Sequence, residues 1–274
     1  MAISLPSVPR VTNIGWRTPA VIVACGCMIS LLSFGPRASL GFFLTPISQD
    51  NGWDRDVFGL ALAIQNILWG VGQPFAGAIA DRYGTMRVLC AGGVFYAIGL
   101  ILMAYSTTPG MLDLGAGVFV GFGLAGCSFS VVLGAFGKLL PARWRSLAFG
   151  AGTAAGSFGQ FLYSPLAVSL MDAFGWQTAL VVFGIGMLMV LPLSLAIATA
   201  PAGTGSAHGV PTQSLRQALS EAVGHRSYVL LVLGFFTCGF QLAFITVHMP
   251  AYLVDKGLSV QVGGWTIAVM PRAG

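Results

Sequence analysis

The chain has 274 residues, of which 56% are hydrophobic and only 8% are charged. Soluble domains carry charge on about a quarter of their residues, so this composition excludes an ordinary soluble protein and indicates a membrane protein. The formal net charge of +5 is typical of some nucleic-acid-binding proteins. The basic residues form no cluster, however, and we expect no nucleic-acid partner.

Apolar blocks of about 20 residues, the length that crosses ~30 Å of hydrocarbon, recur along the chain. They predict an all-α, polytopic fold with transmembrane spans at about 19–47, 57–80, 87–106, 112–138, 146–171, 177–199 and 227–252. Within the first span, Gly35-Pro36 predicts a kink or an unwound turn, and Pro46 is expected to end the helix. The predicted domains are a six-helix half at 1–199, a linker at 200–226 and the start of a second half at 227–274.

The distribution of charge predicts the orientation of the chain. With the N-terminus inside, nearly all basic residues outside the spans fall on the cytoplasmic side, namely Arg10, Arg17, Arg82, Arg87, Lys138, Arg143, Arg145, Arg216 and Arg226. This bias is the positive-inside rule. It predicts a multi-pass protein of the plasma or inner membrane with a cytoplasmic N-terminus.

The linker and the C-terminal segment carry three further signals. Ser214-Leu-Arg-Gln217 matches a capping box and predicts a short helix, either amphipathic on the membrane surface or solvated. Pro46 and Gly59 are 13 positions apart, as are Pro250 and Gly263, which is typical of two parallel transporter halves. The apolar segment from Trp265 stops at Pro271, too short to span, so we expect an incomplete chain with a truncated eighth segment.

The turn between the second and third spans carries the most specific motif. It reads Gly77-Ala-Ile-Ala-Asp81-Arg82-Tyr83-Gly84-Thr85-Met86-Arg87. This resembles the G-x-x-x-D-R-x-G-x-R-R loop of the major facilitator superfamily, with Met86 where a basic residue is usual. The resemblance implies a conformational latch in which Asp81 pairs with basic residues and a helix N-terminus of the other half. Arg82 and Arg87 would be basic partners, and Gly77 would allow close helix approach.

Looser motifs are similar to the oxalate/formate antiporter and monocarboxylate transporter group of that superfamily. They are Gly35-Pro36-Arg37, Arg145-Ser-Leu-Ala-Phe-Gly150 and His248-Met-Pro250-Ala-Tyr252. The fifth span lacks the proline of the drug-antiporter signature. The resemblance implies secondary active transport of a small monocarboxylate or dicarboxylate by alternating access. Protons or a counter-anion are candidate coupling partners, and no cofactor is implied.

Arg37 is the leading candidate for substrate contact. An arginine inside the bilayer costs ~2.5–3.5 kcal/mol on insertion scales, so a functional role is the default interpretation. A guanidinium binds a carboxylate in bidentate fashion, and no acidic residue lies deep in any predicted span, which favours an anionic substrate. Gly26, Ser30, Ser33, Arg37 and Gly41 share a small, polar helix face suited to a cavity. The alternative is that Arg37 snorkels to the headgroups.

Other polar residues lie at helical spacing on plausible inward faces. The predicted substrate or pathway residues are Gln65, Trp69, Gln160, Tyr163, Gln241 and His248. The alternative for each is an interhelical hydrogen bond that only holds the helices together. His248 is in addition a candidate for proton coupling, because histidine titrates near neutral pH.

Two enzyme or cofactor classes are disfavoured by missing residues. Gly126-Cys127-Ser128-Phe129 lacks the final glycine of a rhomboid-like hydrolase motif, and no lysine lies inside the last span as a retinal protein requires. No zinc-ligand spacing is present. We therefore expect no enzyme, metal or cofactor. A non-transporting receptor or scaffold, or an exporter of another small solute, stays open as an alternative.

Overall fold

The structure, a computed structural model, describes residues 15–200, 215–259, 261–262 and 265–266, and this part of the chain is helical without strands. We number its long helices first to seventh: Pro19–Asn51, Arg55–Tyr83, Thr85–Ala104, Pro109–Leu139, Ala142–Phe174, Trp176–Ala196 and Arg226–Asp255. The linker helix, Leu215–Gly224, lies before the seventh. The fourth helix contains a π-helical stretch, Asp113–Phe119. The all-α, polytopic fold is confirmed.

The long helices differ in how apolar they are. The first, third, fourth, sixth and seventh are long and apolar enough to cross a membrane. The second and fifth are as long, at 29 and 33 residues, but they carry more polar residues, among them Gln65 and Gln160. A helix that lines a polar pathway is expected to be less apolar than one that faces lipid on all sides.

The first helix contradicts two expectations from the sequence. It stays α-helical through Pro36 and Pro46 and ends only at Asn51, before Gly52 in the left-handed conformation (φ 66°). The predictions of an unwound turn at Gly35-Pro36 and of a helix end at Pro46 are therefore wrong. A proline removes one backbone N–H. At Pro36 the missing N–H would have bonded to the carbonyl of Leu32, four positions earlier, so the helix continues with one backbone bond fewer.

Some predictions for the C-terminal part lie outside the described residues. Ser214, the predicted cap of the linker helix, Gly263 of the proposed repeat and residues 267–274 belong to this group. The predicted linker helix itself is present at Leu215–Gly224. Pro250, like Pro46, lies inside its helix and five positions before the last helical residue.

The first helix is the centre of the bundle. It packs along the fifth helix and also contacts the sixth and seventh, while the third helix packs between the fourth and the sixth. Glycines allow close approach: a Cβ on Gly159 would lie 3.0 Å from the Leu31 Cα and closer to its carbonyl oxygen. The helices are thus held by backbone proximity as well as by side chains.

We expect Gly159→Ala to destabilise the bundle by about 1–3 kcal/mol, the usual cost of overpacking, because Leu31 backbone atoms stand where the new methyl group would go. Gly150→Ala is the matched control in the same helix, since no described atom lies within 4 Å of its Cβ position. Thermal unfolding midpoints in detergent measure both. A midpoint for Gly159→Ala equal to that of Gly150→Ala would contradict this packing.

Candidate functional site

The Arg37 guanidinium lies against the second helix. Its Nη2 donates to Asn66 Oδ1 at 3.0 Å, and its Cζ lies 4.4 Å from the centroid of the Trp69 ring. Asn66 Nδ2 donates to the Leu62 carbonyl at 2.8 Å, which turns Oδ1 toward Arg37. The guanidinium is thus positioned by a hydrogen bond on one side and by an aromatic face on the other.

The surroundings of Arg37 are rich in donors and lack a negative charge. Gln65 Nε2 and Trp69 Nε1 are buried without a hydrogen-bond partner in the described part of the chain, and Gln65 is only 2% exposed. Among the described residues, the ion pairs are Arg55–Asp255 and Lys138–Asp81. No carboxylate of this part of the chain therefore neutralises Arg37. A half-buried cation beside unsatisfied N–H donors is suited to an anion.

The space beside Arg37 is small in this structure. It measures about 20 Å³ and is lined by Arg37, Leu40, Gly41, Leu62, Gln65, Asn66, Ala243, Thr246 and Val247. A cavity of this volume holds about one water molecule, so a carboxylate does not fit beside Arg37 unless the helices move. The seventh helix forms one wall of this space.

A larger vestibule lies on the other side of Gly41. It measures about 420 Å³, and its lining includes Thr45, Asp50 and Pro250. Gly41 also lines the Arg37 cavity, and a Cβ on Gly41 would lie 3.2 Å from the Val247 Cα. The close contact between Gly41 and the seventh helix therefore stands between the vestibule and Arg37.

The other residues of the predicted polar face are used in helix packing. Gly26 lies against the Phe136 ring, the Ser33 hydroxyl donates to the Cys127 carbonyl at 3.0 Å, and Gly41 contacts the seventh helix. The Ser30 hydroxyl is buried without a hydrogen-bond partner in the described residues. In this structure the face lines the small Arg37 cavity through Arg37 and Gly41, and it reaches the vestibule through Gly41 alone.

The fifth-helix candidates lie apart from Arg37. Gln160 lines a separate cavity of about 130 Å³ together with Phe34. The Phe34 ring also lies 6.5 Å from the Trp69 ring, measured between centroids. Tyr163 is buried, with its ring against Gly35 and 5.0 Å from the Phe183 ring centroid. Phe34 thus lies between Trp69 and the Gln160 cavity, whereas Tyr163 packs against the first helix at Gly35.

The seventh-helix candidates, Gln241 and His248, are both exposed. The His248 ring lies 4.9 Å from the Phe244 ring centroid. The residues of this helix that line the Arg37 cavity are instead Ala243, Thr246 and Val247. The structure therefore brings Arg37, Gln65 and Trp69 together and leaves Gln241 and His248 outside that group.

Sequence reasoning missed Asn66, which accepts the hydrogen bond of Arg37, and Phe34, which lies between Trp69 and the Gln160 cavity. A signal for Asn66 was present, because an asparagine three positions before Trp69 lies on nearly the same helix face. No sequence signal points to Phe34, since a phenylalanine in an apolar span is ordinary.

The motif loop forms an ion pair that the sequence did not predict. Asp81 pairs with Lys138 at the end of the fourth helix, instead of with Arg82 or Arg87, while Arg82 lies over the Tyr83 ring at 5.4 Å. No atom of another described helix lies within 4 Å of the Cβ position of Gly77, so the close helix approach expected there is absent from the described structure.

The same loop is fastened to the end of the sixth helix. Gly84 has a φ of 91°, and the next residue, Thr85, donates its hydroxyl to the Ile197 carbonyl at 2.7 Å. Arg17 donates to the carbonyls of Ala196 at 3.0 Å and Ala198 at 2.6 Å. These bonds satisfy carbonyl groups that a helix end leaves unpaired, and the Thr85 bond ties the Asp81 loop to the sixth helix.

Comparison with solved structures identifies the fold. A bacterial homolog of the human lysosomal transporter Spinster, in an inward-facing and unoccupied conformation, superposes with a TM-score of 0.73 at 18% identity, covering 92% of this chain and 59% of that one. A D-xylose–proton symporter gives a TM-score of 0.56 at 16% identity, covering 93% of this chain and 65% of that one. At these identities the likeness concerns the fold alone.

Sequence comparison gives the family. The human protein named monocarboxylate transporter 11 is 28% identical over 273 residues, which cover 97% of this chain and 54% of that relative. A Bacillus subtilis (strain 168) protein named uncharacterized MFS-type transporter YcxA is 27% identical over 224 residues, which cover 81% of this chain and 55% of that relative. The chain thus spans about half the length of these curated relatives. Residues 26–274 match the Major Facilitator Superfamily, and the chain therefore belongs to this family of membrane transporters and is not an enzyme.

Proposed function

We propose that the protein transports a small organic anion, a monocarboxylate or dicarboxylate, and that Arg37 binds its carboxylate. The observation that carries this proposal is the group formed by the half-buried Arg37 with the buried Gln65 Nε2 and Trp69 Nε1 atoms, which offers donors without an acidic partner in the described residues. A carboxylate would supply the missing negative charge and accept from the guanidinium in bidentate geometry. The printed name of the human relative, a monocarboxylate transporter, supports the same substrate class.

The geometry also supports the anion site over snorkelling of Arg37. A snorkelling arginine extends toward the headgroups, whereas this guanidinium bonds to Asn66 and lies over Trp69 on a neighbouring helix. Both contacts hold the charge inside the bundle. Placing the charge there costs free energy, and an anion that shares the site during part of the transport cycle would offset that cost.

We further propose that the contact of Gly41 with the seventh helix opens and closes access to Arg37. Alternating access rocks one half of such a transporter against the other around a central site. Withdrawal of the seventh helix would join the vestibule at Asp50 to the Arg37 cavity, because Gly41 lines both. At the opposite end, the Asp81 loop with its Lys138 ion pair would act as the latch. His248 stays a candidate for proton coupling.

Binding selectivity tests the proposed substrate class. Purified protein is incubated with labelled pyruvate as a probe, and acetate, acetamide and methylammonium compete at equal concentration. Acetate and acetamide have nearly the same size, so the pair isolates the effect of charge. We expect acetate to compete and the other two to fail. Equal competition by acetamide would point to another small solute, and saturable binding of none of them would favour the receptor or scaffold alternative.

We propose that the end of the bundle with Asp81 faces the cytoplasm, because the basic residues gather there. Single cysteines are introduced at positions 52, 82 and 205 of a cysteine-free protein and labelled in intact cells with a membrane-impermeant maleimide. Labelling is expected at position 52, with none at 82 or 205 until the cells are permeabilised. Labelling at 205 but not at 52 in intact cells would reverse the proposed orientation.

A further inference from the structure

A groove separate from the Arg37 site runs between the second, third and fourth helices. Its volume is about 370 Å³, and apart from the residues at one end its lining is apolar. One wall is Phe75, Ile79 and Tyr83 of the second helix, at intervals of four, and the other wall includes Arg87 and Phe95 of the third. The large side chains of both walls are exposed, so an apolar surface stands open along the outside of the bundle.

Small residues of the three helices line the groove between its walls. A Cβ on Gly72 would lie 2.8 Å from the Ala125 Cβ, and one on Gly92 would lie 2.8 Å from the Gly126 Cα. These contacts bring the fourth helix close to the second and third. No side chain larger than alanine fills the space between the walls at these positions, and a slot is left that an occupant of matching shape could enter.

The polar end of the groove is positively charged. Tyr83 and Arg87 line it there, and the neighbouring Arg82 places its guanidinium 5.4 Å from the centroid of the Tyr83 ring. Arg87 is exposed and forms no ion pair with a described residue. The nearby carboxylate of Asp81 is already paired with Lys138, so the mouth has two cations available for an anion.

We propose that this groove binds an anionic phospholipid, with its phosphate at Arg82 and Arg87 and one acyl chain along Phe75, Ile79 and Phe95. The charge at the mouth complements a phosphate, and the apolar slot complements a hydrocarbon chain. Basic pockets between membrane helices are known to recognise anionic headgroups by this combination. Tyr83 to Phe75 is eight residues, or about 12 Å of groove at the helical rise.

The charge at the mouth favours a phospholipid over an apolar helix from another protein. Arg82 and Arg87 form no ion pair with a described residue, so the occupant is expected to bring an anion together with an apolar part. A flexible acyl chain adapts to the small residues between the walls. A phospholipid carries a phosphate and hydrocarbon chains in one molecule.

Lipid titration with matched variants tests this site. The purified protein in neutral detergent is titrated with phosphatidylglycerol, phosphatidylcholine or soluble glycerol 3-phosphate, and native mass spectrometry and the thermal unfolding midpoint are followed. We expect phosphatidylglycerol to bind more tightly than phosphatidylcholine. Arg87→Gln should lose about fivefold of the affinity for phosphatidylglycerol, as expected for one cation near an anionic headgroup, and Arg87→Lys should keep it.

A second variant and a control separate the groove from a general surface effect. Ala91→Phe fills the groove from an exposed position and should weaken both lipids, whereas Arg143→Gln, an exposed arginine outside the groove, should weaken neither. Wild-type affinity of Ala91→Phe for both lipids would overturn the proposal. Equal stabilisation by glycerol 3-phosphate would overturn it as well, since a free-anion site would then explain the charge.

Discussion

Replacement of Arg37 by glutamine is expected to weaken monocarboxylate binding by about 100-fold. A loss of this size corresponds to about 2.7 kcal/mol, which is within the range for a hydrogen bond to a charged group in a buried site. Arg37→Lys should lose about tenfold, because a lysine keeps the charge but lacks the planar fork that matches a carboxylate. Equilibrium binding of labelled pyruvate to the purified variants measures both effects.

The matched control for Arg37 is Arg143→Gln, which removes an equal charge from an exposed position at the start of the fifth helix. It should bind pyruvate like the wild type. Asn66→Leu should give an intermediate loss, because it removes the acceptor that orients the guanidinium. Normal binding by Arg37→Gln would show that Arg37 does not contact the substrate.

Gly41→Val should slow transport roughly 5- to 150-fold while it leaves equilibrium binding within about threefold of the wild type. The new side chain would meet the Thr246 carbonyl and the Val247 backbone, so the seventh helix could not return to the first. Overpacking costs about 1–3 kcal/mol, which lowers the population of the closed arrangement roughly 5- to 150-fold. Initial uptake rates in cells that express the variant provide the measurement.

Gly59→Val is the control for this effect, since no described atom lies within 4 Å of its Cβ position. It introduces the same residue into a neighbouring helix and should leave uptake close to the wild-type rate. A Gly41→Val variant with a wild-type uptake rate would show that closure of the seventh helix against Gly41 is not part of the transport cycle.

The architecture could be predicted from the sequence because membrane helices leave a strong compositional signal. A span must be long enough for the hydrocarbon layer and must satisfy its own backbone hydrogen bonds, so apolar blocks and turn residues locate it. The proline positions were the exception. Proline predicts a break from local chemistry, but Pro36 and Pro46 lie in a helix that is packed against several others, and tertiary contacts outweigh the local preference.

The candidate site was only partly predictable. Arg37, Gln65 and Trp69 stand out individually because polar or amphipathic residues are costly inside a membrane, and the structure places them together. Their partners depend on how two helices are rotated about their axes, which a single sequence does not reveal. This explains why Asn66 and the pairing of Asp81 with Lys138 were missed, and why the exposed positions of Gln241 and His248 were not anticipated.

Counterflow in liposomes tests the central claim, transport of a small carboxylate, most directly. Liposomes that contain the protein are loaded with unlabelled pyruvate and diluted into a trace of labelled pyruvate. We predict saturable accumulation of label that acetate inhibits and acetamide does not, and that is lost in Arg37→Gln. Accumulation no greater than in protein-free liposomes, or equal inhibition by acetamide, would contradict the assignment of a carboxylate transporter.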